Sequence, residues 1–384
     1  MRIGVNTRLF IKGKMDGIAW YTYEIFRRIA IQHPEHEFVF FFDRPYDPYF
    51  IFAPNVKPVV VHPQARHPFL WYLFFEFGIK KALRKEKIDL FISPDGWTCI
   101  NTKVKTINVI HDLNFEHYPS FIPTVTLNYY KHFFPRFARK ADKLITVSQF
   151  SKKDIANLYH IDKEKISVVY NAASDDFFEV DEETKRKTVQ RLTNGNPYFV
   201  FVGSAHKRKN VERIMLAFDQ FREKYTGFKF VFAGSNKYWD EDIKKTYNNL
   251  KSKSDIIFTG YLPTSEMNCV VSSALTLVYP SLFEGFGVPI VEGFAAQVPV
   301  ITANVSSMPE VAGDAALLVN PFSIDEIADA MEKMAINEKL RNHFVQLGIE
   351  RKKTFSWDKS AQQFWNIICG VLSTEAQSAL SSTL

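Results

Sequence analysis

The sequence predicts an α/β fold in which two doubly wound parallel sheets follow one another along the chain, and three observations predict it. Short runs rich in Val, Ile and Phe alternate with longer segments of helical period from one end to the other. The alternation breaks once, at the charged run DEETKRKTVQRLTNGNP from Asp181 to Pro197, and then begins again. At 384 residues the chain is also too long for one ordinary core, so two domains are expected.

In chain order the first set of strands is RIGVNTRL, EFVFFFD, KPVVV, IDLFIS, TINVIHD, KLITVS and KISVVYN. Each is a near-continuous apolar run of the kind a parallel strand buried on both faces requires. AWYTYEIFRRIA and FLWYLFFEFGIKKALRKE have the helical period and length of crossover connections, which are right-handed in such sheets. The run ending in NGNP carries a turn signal and places a domain boundary. The second set is PYFVFVGS, FKFVFAGS, DIIFTGYL, LTLVYPS, VPVITAN and AALLVN, with helices at VERIMLAFDQFREKY, between Ser265 and Ser273, and from Val288 onward. IDEIADAMEKMA, KLRNHFVQLGIERKKT and WDKSAQQFWNIICGVL are helical by period, and the serine-rich STEAQSALSSTL reads as a fraying end. The expected domains are residues 1–182, 183–355, and a closing helical segment 356–384 that packs back on the first domain.

Composition excludes several classes. Hydrophobic residues at 46% and charged residues at 23% describe a soluble globular chain with material for two cores, not a disordered one. Cys99, Cys269 and Cys369 are odd in number and far apart, which suggests neither a disulfide framework nor a zinc site and fits a reducing cytoplasm. MRIGVNTRLF has no apolar core of a signal peptide and no run of apolar residues is long enough to span a bilayer, so the chain is expected in the cytosol. The net charge of +6 arises wholly before residue 181, where 25 basic residues meet 19 acidic ones. It is densest from Arg66 to Lys153, with 15 basic against 7 acidic residues amid many aromatics. That composition suits either an anionic bilayer surface or a buried aromatic stripe with a solvated basic flank, and no nucleic-acid recognition motif accompanies it.

Ligands of doubly wound sheets bind beyond the carboxyl ends of the strands, so chemistry is sought there. FEGFGVPIVEG, Phe283 to Gly293, lies between the strand LTLVYPS and a helix with Pro289 near its start. Gly285 and Gly287 allow close approach of backbone N–H groups, and the helix start carries free donors and partial positive charge suited to a phosphate. Glu292 is placed to accept hydrogen bonds from vicinal hydroxyls, as acidic residues do with a ribose, and Glu284 to lie nearer a reacting group. Taken singly, Glu292 could equally complement the helix dipole and Glu284 be a solvated loop acid.

SLFEGFGVPIVEGFAAQVPVITANVSSMPEVAGDAALLVNP resembles the donor-site signature of the retaining glycosyltransferase family 4, whose members have the GT-B fold of two facing Rossmann-like domains with an inter-domain cleft. The resemblance extends through IIFTGYL and VGSAHKRKN and, more loosely, through VIHDL, ITVSQFSKKDI and VVYNAAS. It implies that Glu284 is the first glutamate of the family's EX7E motif, near the transferred sugar, and Glu292 the second, at the nucleotide ribose. Gly285, Phe286 and Gly287 match the turn that contacts sugar and phosphate, and Arg208 and Lys209 match the basic pair at the diphosphate. His111 of VIHDL matches a histidine at the donor sugar, with Asp112 either orienting it or forming an Asx turn. Gly17 of DGIAWYT matches the family's glycine loop, and Tyr261 and Leu262 lie where contacts to the base are made. Two positions depart from the pattern: Ala19 stands where a second glycine is common and Ser204 where many members carry an arginine.

The resemblance implies transfer of a hexose from a nucleoside diphosphate sugar, GDP-mannose or a UDP-hexose, to a glycan or lipid-linked oligosaccharide, with no metal. Mannosyl-type transferases of surface polysaccharide assembly are the nearest subgroup, by VSSMPEVAGDAALLVNP. The expected location is cytoplasmic, with peripheral contact at the cytoplasmic face of the inner membrane as one of the two readings of the basic aromatic region. Asp240 to Asp242 imitates a metal-binding DXD but precedes a helix. A nucleotide-sugar epimerase and a non-catalytic sugar-nucleotide or glycan-binding subunit are the alternatives, and donor turnover separates them.

Overall fold

The structure, a computed structural model, describes residues 1–235, 239 and 241–381, with side chains of the last helix described to Ser373. Packing divides the chain into two units, Met1–Asn171 joined by the segment from Trp357, and Ala172–Ser356.

The first unit holds β1 (Arg2–Asn6), β2 (Glu37–Phe42), β3 (Val56–Val60), β4 (Leu90–Ser93), β5 (Lys105–Val109), β6 (Lys143–Thr146) and β7 (Ile166–Val168) in one sheet of order β3-β2-β1-β4-β5-β6-β7. The second holds β8 (Tyr198–Val202), β9 (Lys229–Ala233), β10 (Ile256–Gly260), β11 (Thr276–Tyr279), β12 (Val300–Ala303) and β13 (Ala316–Val319) in the order β10-β9-β8-β11-β12-β13. All named pairings are parallel. Each apolar run named above falls on one of these thirteen strands. Residues of both pleat directions are buried, as in Val39, Phe40 and Phe41 of β2 and Val200 and Phe201 of β8, because helices cover both sheet faces.

Two segments differ from a plain helical reading. FLWYLFFEFGIKKALRKE is not one α-helix but Pro68–Leu73, a π-turn Phe74–Ile79, and Lys80–Lys85. The widened turn carries Glu76 inward, where its carboxylate accepts from the backbone of Ile100 at 2.6 Å and Asn101 at 3.2 Å and from the Asn101 amide at 2.8 Å. The charged run after Asp181 is itself a helix, Glu182–Thr193, capped by Asp181 through the Thr184 N–H and stopped by Asn194 at φ 53°.

The closing helix Trp357–Ser381 lies on the helix Gly17–Gln32. Phe364 meets Phe26 edge-on at 5.4 Å, Trp365 stacks on His33 at 3.8 Å, and Arg28 binds Asp358 at 2.7 Å. Residues 382–384 of the serine-rich tail lie outside the described residues. Among the described residues no helix is long and apolar enough to cross a membrane.

Candidate active site

In the second sheet the direction of growth reverses between β8 and β11, the point at which ligands of such sheets bind. The loop after β8 is a 3-10 turn, Lys207–Lys209, and the loop after β11 carries the FEGFG turn. They are tied together by backbone: Leu282 N–H donates to the Arg208 carbonyl at 2.8 Å. Asn210, in the left-handed region at φ 63°, reinforces the tie by donating to the carbonyls of Pro280 at 3.0 Å and Pro321 at 2.6 Å.

This joint brings Arg208 and Lys209 onto Glu284. The carboxylate accepts from Arg208 Nη1 at 2.9 Å, Lys209 Nζ at 2.7 Å and Tyr279 Oη at 2.9 Å. Arg208 also donates to the Phe283 carbonyl at 2.6 Å, and Lys209 contacts the Tyr279 hydroxyl. Burial would push the Glu284 carboxyl upward, but the charges of Arg208 and Lys209 and their hydrogen bonds outweigh it and hold it at about 2. Two cations on one carboxylate leave a local charge of about +1, ready for an anion.

The turn beyond Glu284 is shaped from behind. Ser306 Oγ accepts from the Glu284 N–H at 3.1 Å, and Ser307 Oγ donates to the carbonyls of Glu284 at 2.8 Å and Phe286 at 3.0 Å. Gly287 has φ 97° and begins the helix Val288–Ala295; a Cβ there would be strained and only 3.0 Å from Ile290 Cδ1. Glu292 is half-buried in this helix, and its side chain has no hydrogen-bond or ion-pair partner among the described residues. Loss of water pushes its carboxyl up to about 7, with Lys209 pulling weakly the other way. Tyr279, Asn210, Ser306 and Ser307 were not singled out by sequence. Their only signals were a tyrosine ending an apolar strand, an asparagine after a basic run, and a serine pair before a proline helix.

Other expected residues stand apart from this cluster. Tyr261, 74% exposed, and half-buried Leu262 follow β10, three strands from β11 and so roughly 14 Å away along the sheet. Ser204, where the family often has arginine, is half-buried just beyond β8 and its side chain makes no hydrogen bond among the described residues.

His111 and Gly17 belong to the first unit. His111 follows β5, and its Nε2 lies 2.9 Å from the Pro94 carbonyl, which can only accept; the neutral ring therefore carries its proton on Nε2 and leaves Nδ1 as an acceptor. Burial lowers its pKa despite the opposing pull of that carbonyl and nearby carboxylates. Asp112 does not orient the ring: its Oδ1 takes the Asn114 N–H at 3.0 Å and side-chain amide at 2.7 Å, an Asx turn. Gly17 is the first residue of its helix, capped by Asp16 through the Ala19 N–H at 3.0 Å, and a Cβ there would meet nothing within 4 Å.

Of the acidic segment from Asp240 to Asp242, Asp240 lies outside the described residues; Glu241 and Asp242 open the helix Glu241–Asn249, with Asp242 on Lys207 at 2.7 Å. Among the described residues no group of three or more His, Cys, Asp or Glu side chains is disposed to hold a metal ion.

The family model for Glycosyltransferase Family 4 matches residues 15–177, and that for Glycosyl transferases group 1 matches residues 182–351. This chain belongs to glycosyltransferase family 4. It is 25% identical over 287 residues to O-antigen chain mannosyltransferase B of Escherichia coli, covering 74% of this chain and 75% of that protein. With O-antigen chain mannosyltransferase RfbU of Salmonella typhimurium it shares 28% identity over 270 residues, 70% and 71% of the two chains. Among solved structures, sucrose-phosphate synthase from Thermosynechococcus elongatus superposes with a TM-score of 0.81 at 16% identity, over 97% of this chain and 99% of that one. WaaG, a glycosyltransferase involved in lipopolysaccharide biosynthesis, superposes with a TM-score of 0.77 at 14% identity, over 96% and 100%. The fold of this family 4 glycosyltransferase is GT-B, with Rossmann-like sheets of seven and six strands.

Proposed function

We propose that this glycosyltransferase moves a hexose, mannose by preference, from a nucleoside diphosphate sugar to a hydroxyl of a glycan or lipid-linked oligosaccharide in cell-surface polysaccharide assembly, retaining the anomeric configuration. The observation that carries the reading is the Arg208–Lys209–Glu284 cluster. Its excess positive charge beside a helix start suits a diphosphate, and it would stabilise the charge that grows on the leaving group without a metal. The O-antigen mannosyltransferase relatives support mannose, and the solved structure of Anabaena Alr3699/HepE with UDP and glucose, similar in fold at a TM-score of 0.75, supports a nucleotide sugar as donor.

The paired Glu284 carboxylate, held at about 2, is a weak base and a poorly available nucleophile. That supports a front-face displacement: the bond from C1 to the phosphate oxygen breaks, the bond from the acceptor oxygen to C1 forms, and the departing phosphate takes the acceptor proton. Glu284 then steadies positive charge at the sugar, Glu292 accepts from the ribose diol, and His111 Nδ1 accepts from a sugar hydroxyl. Gly285, Phe286, Gly287 and Gly17 give backbone room for donor and phosphate, and Tyr261 and Leu262 meet the base.

A bilayer contact belongs to the same reading. Phe69 and Phe77, 65% and 62% exposed, and exposed Tyr72 share a stretch with exposed Lys81, Arg84 and Lys85, an apolar edge followed by a basic one. This supports a cytoplasmic enzyme held at the inner membrane, and flotation with phosphatidylglycerol vesicles but not with phosphatidylcholine vesicles is the expected result.

Calorimetry with GDP, UDP, GDP-mannose and UDP-glucose, each with and without EDTA, tests the donor. One nucleotide should bind tightly and be indifferent to chelation; failure of every nucleotide to bind sinks the reading. Interconversion of free donor without acceptor would make the protein an epimerase.

A further inference from the structure

The first sheet has its own reversal point, between β1 and β4, and its carboxyl ends carry a second polar cluster that the donor chemistry does not use. Asn6, closing β1, donates to Ser93 Oγ at 3.0 Å, and Ser93, closing β4, donates to Asp95 Oδ1 at 3.2 Å. The other Asp95 oxygen accepts from Arg8 Nε at 2.5 Å. Both partners are buried, with 7% and 4% of their side chains exposed. The Arg8 guanidinium lies 4.5 Å from the centre of the Trp97 ring.

Around this pair stands a wall of rings. Trp97 meets Trp71 and Tyr130 edge-on at 5.5 Å each and Phe134 at 5.2 Å, while Trp71 and Tyr130 lie nearly parallel at 6.0 Å. The electrostatics of the tyrosine hydroxyls are consistent with closeness to the pair: burial raises the pKa of Tyr129 and Tyr130, and the Arg8 charge opposes the rise at both.

Hydrogen-bonding groups accumulate here that the protein does not satisfy. The Trp97 indole N–H is buried with no partner. Among the described residues neither terminal nitrogen of Arg8 has an acceptor, and the hydroxyls of Tyr129 and Tyr130 form no hydrogen bond. A buried donor such as the Trp97 indole N–H is costly in this state unless a ligand or water answers it, while the unpaired groups of Arg8, Tyr129 and Tyr130 are not wholly shut off from solvent. One such buried donor, set beside three further unpaired donor groups and a wall of rings at a strand reversal, marks a place suited to a ligand's acceptors.

The chemistry of the groups selects the ligand. Arg8 is neutralised by Asp95, so the site carries no excess charge with which to hold a dianion. What it offers is donors between aromatic faces, the complement of a molecule rich in hydroxyl and ring oxygens with a weakly positive C–H face. We infer that Arg8, Trp97, Tyr129 and Tyr130 form a subsite for a neutral hexose unit. Resting on the function proposed above, that unit is the sugar of the acceptor glycan.

Ligand-observed NMR on the full chain with a mannose disaccharide, with pyrophosphate, and with the nucleotides in a separate arm tests this. Saturation transfer to the disaccharide is expected. Tyr130→Phe, which removes one oxygen and no volume of ring, should weaken disaccharide binding about fivefold. Arg8→Lys keeps the charge opposite Asp95 but not the fork and should weaken it about tenfold. Neither change should alter nucleotide affinity. Absence of disaccharide binding, equal binding by Tyr130→Phe and wild type, or displacement of the disaccharide by pyrophosphate each overturns the subsite. The nucleotide arm judges the donor reading separately, so failure of one is not mistaken for failure of the other.

Discussion

The two strand reversals of this chain are built from the same elements and arrive at opposite electrostatics. At the first, one guanidinium meets one carboxylate, Arg8 and Asp95, and the charges cancel. At the second, Arg208 and Lys209 converge on Glu284, and one positive charge is left over. A doubly wound sheet supplies a place at its reversal but not a preference; a single extra cation turns a site for neutral groups into one for phosphates.

The largest effect that can break this comparison is removal of each carboxylate. Glu284→Gln strands two largely buried cations and should destabilise the second unit by about 4 kcal/mol, while Asp95→Asn strands one and should lose about 3 kcal/mol, both read by urea denaturation. Transfer by Glu284→Gln should fall by at least about 100-fold. Equal losses, or a loss under about 1 kcal/mol at Glu284, would show that the charge excess is an illusion of geometry.

The next effect sharpens the picture within the second site, where two carboxyls eight residues apart titrate in opposite directions. Glu284 is lowered from 4.5 to about 2, so its contribution to stability is present above pH 4.5 and disappears as pH falls toward 2. Glu292 is raised from 4.5 to about 7, so its contribution is present below pH 4.5 and disappears as pH rises through 7. Glu292→Gln should therefore stabilise the protein by about 1–3 kcal/mol at pH 8 and not at pH 4, while weakening nucleotide binding. A uniform stability change at both pH values would remove the opposed titration.

The smallest effect contrasts a glycine from each unit. Gly287→Ala forces an L residue to φ 97° against Ile290 and should cost about 1–2 kcal/mol in thermal unfolding. Gly17→Ala enters open space at a helix start and should change stability by under about 0.5 kcal/mol, so any loss of donor affinity there reports the ligand directly.

Much of the fold was legible because parallel strands covered on both faces must be apolar throughout, as EFVFFF and YFVFV are, and such runs need no partner to be recognised. The FEGFG turn was legible too, since a positive φ at Gly287 and a proline at the helix start are local demands. The π-turn through Phe74–Ile79 was not, because its cause is Glu76 reaching the backbone of Ile100 and Asn101, a contact no periodicity encodes. Nor was the role of Asp112, which the sequence left open and the structure turns to Asn114 rather than to His111.

By itself the sequence determined the thirteen strands, their division into two sets, and the acids and bases at the strand ends of the second set, Glu284, Glu292, Arg208 and Lys209, but it did not single out Arg8 or Asp95. Local patterning is enough for that, since burial and turn geometry act on neighbours in the chain. Only the tertiary structure decided which charge meets which: Arg8 finds Asp95 across 87 positions and Lys209 finds Glu284 across 75. The order of strands in the sheet sets those meetings, and they in turn decide whether a strand end is neutral or positive.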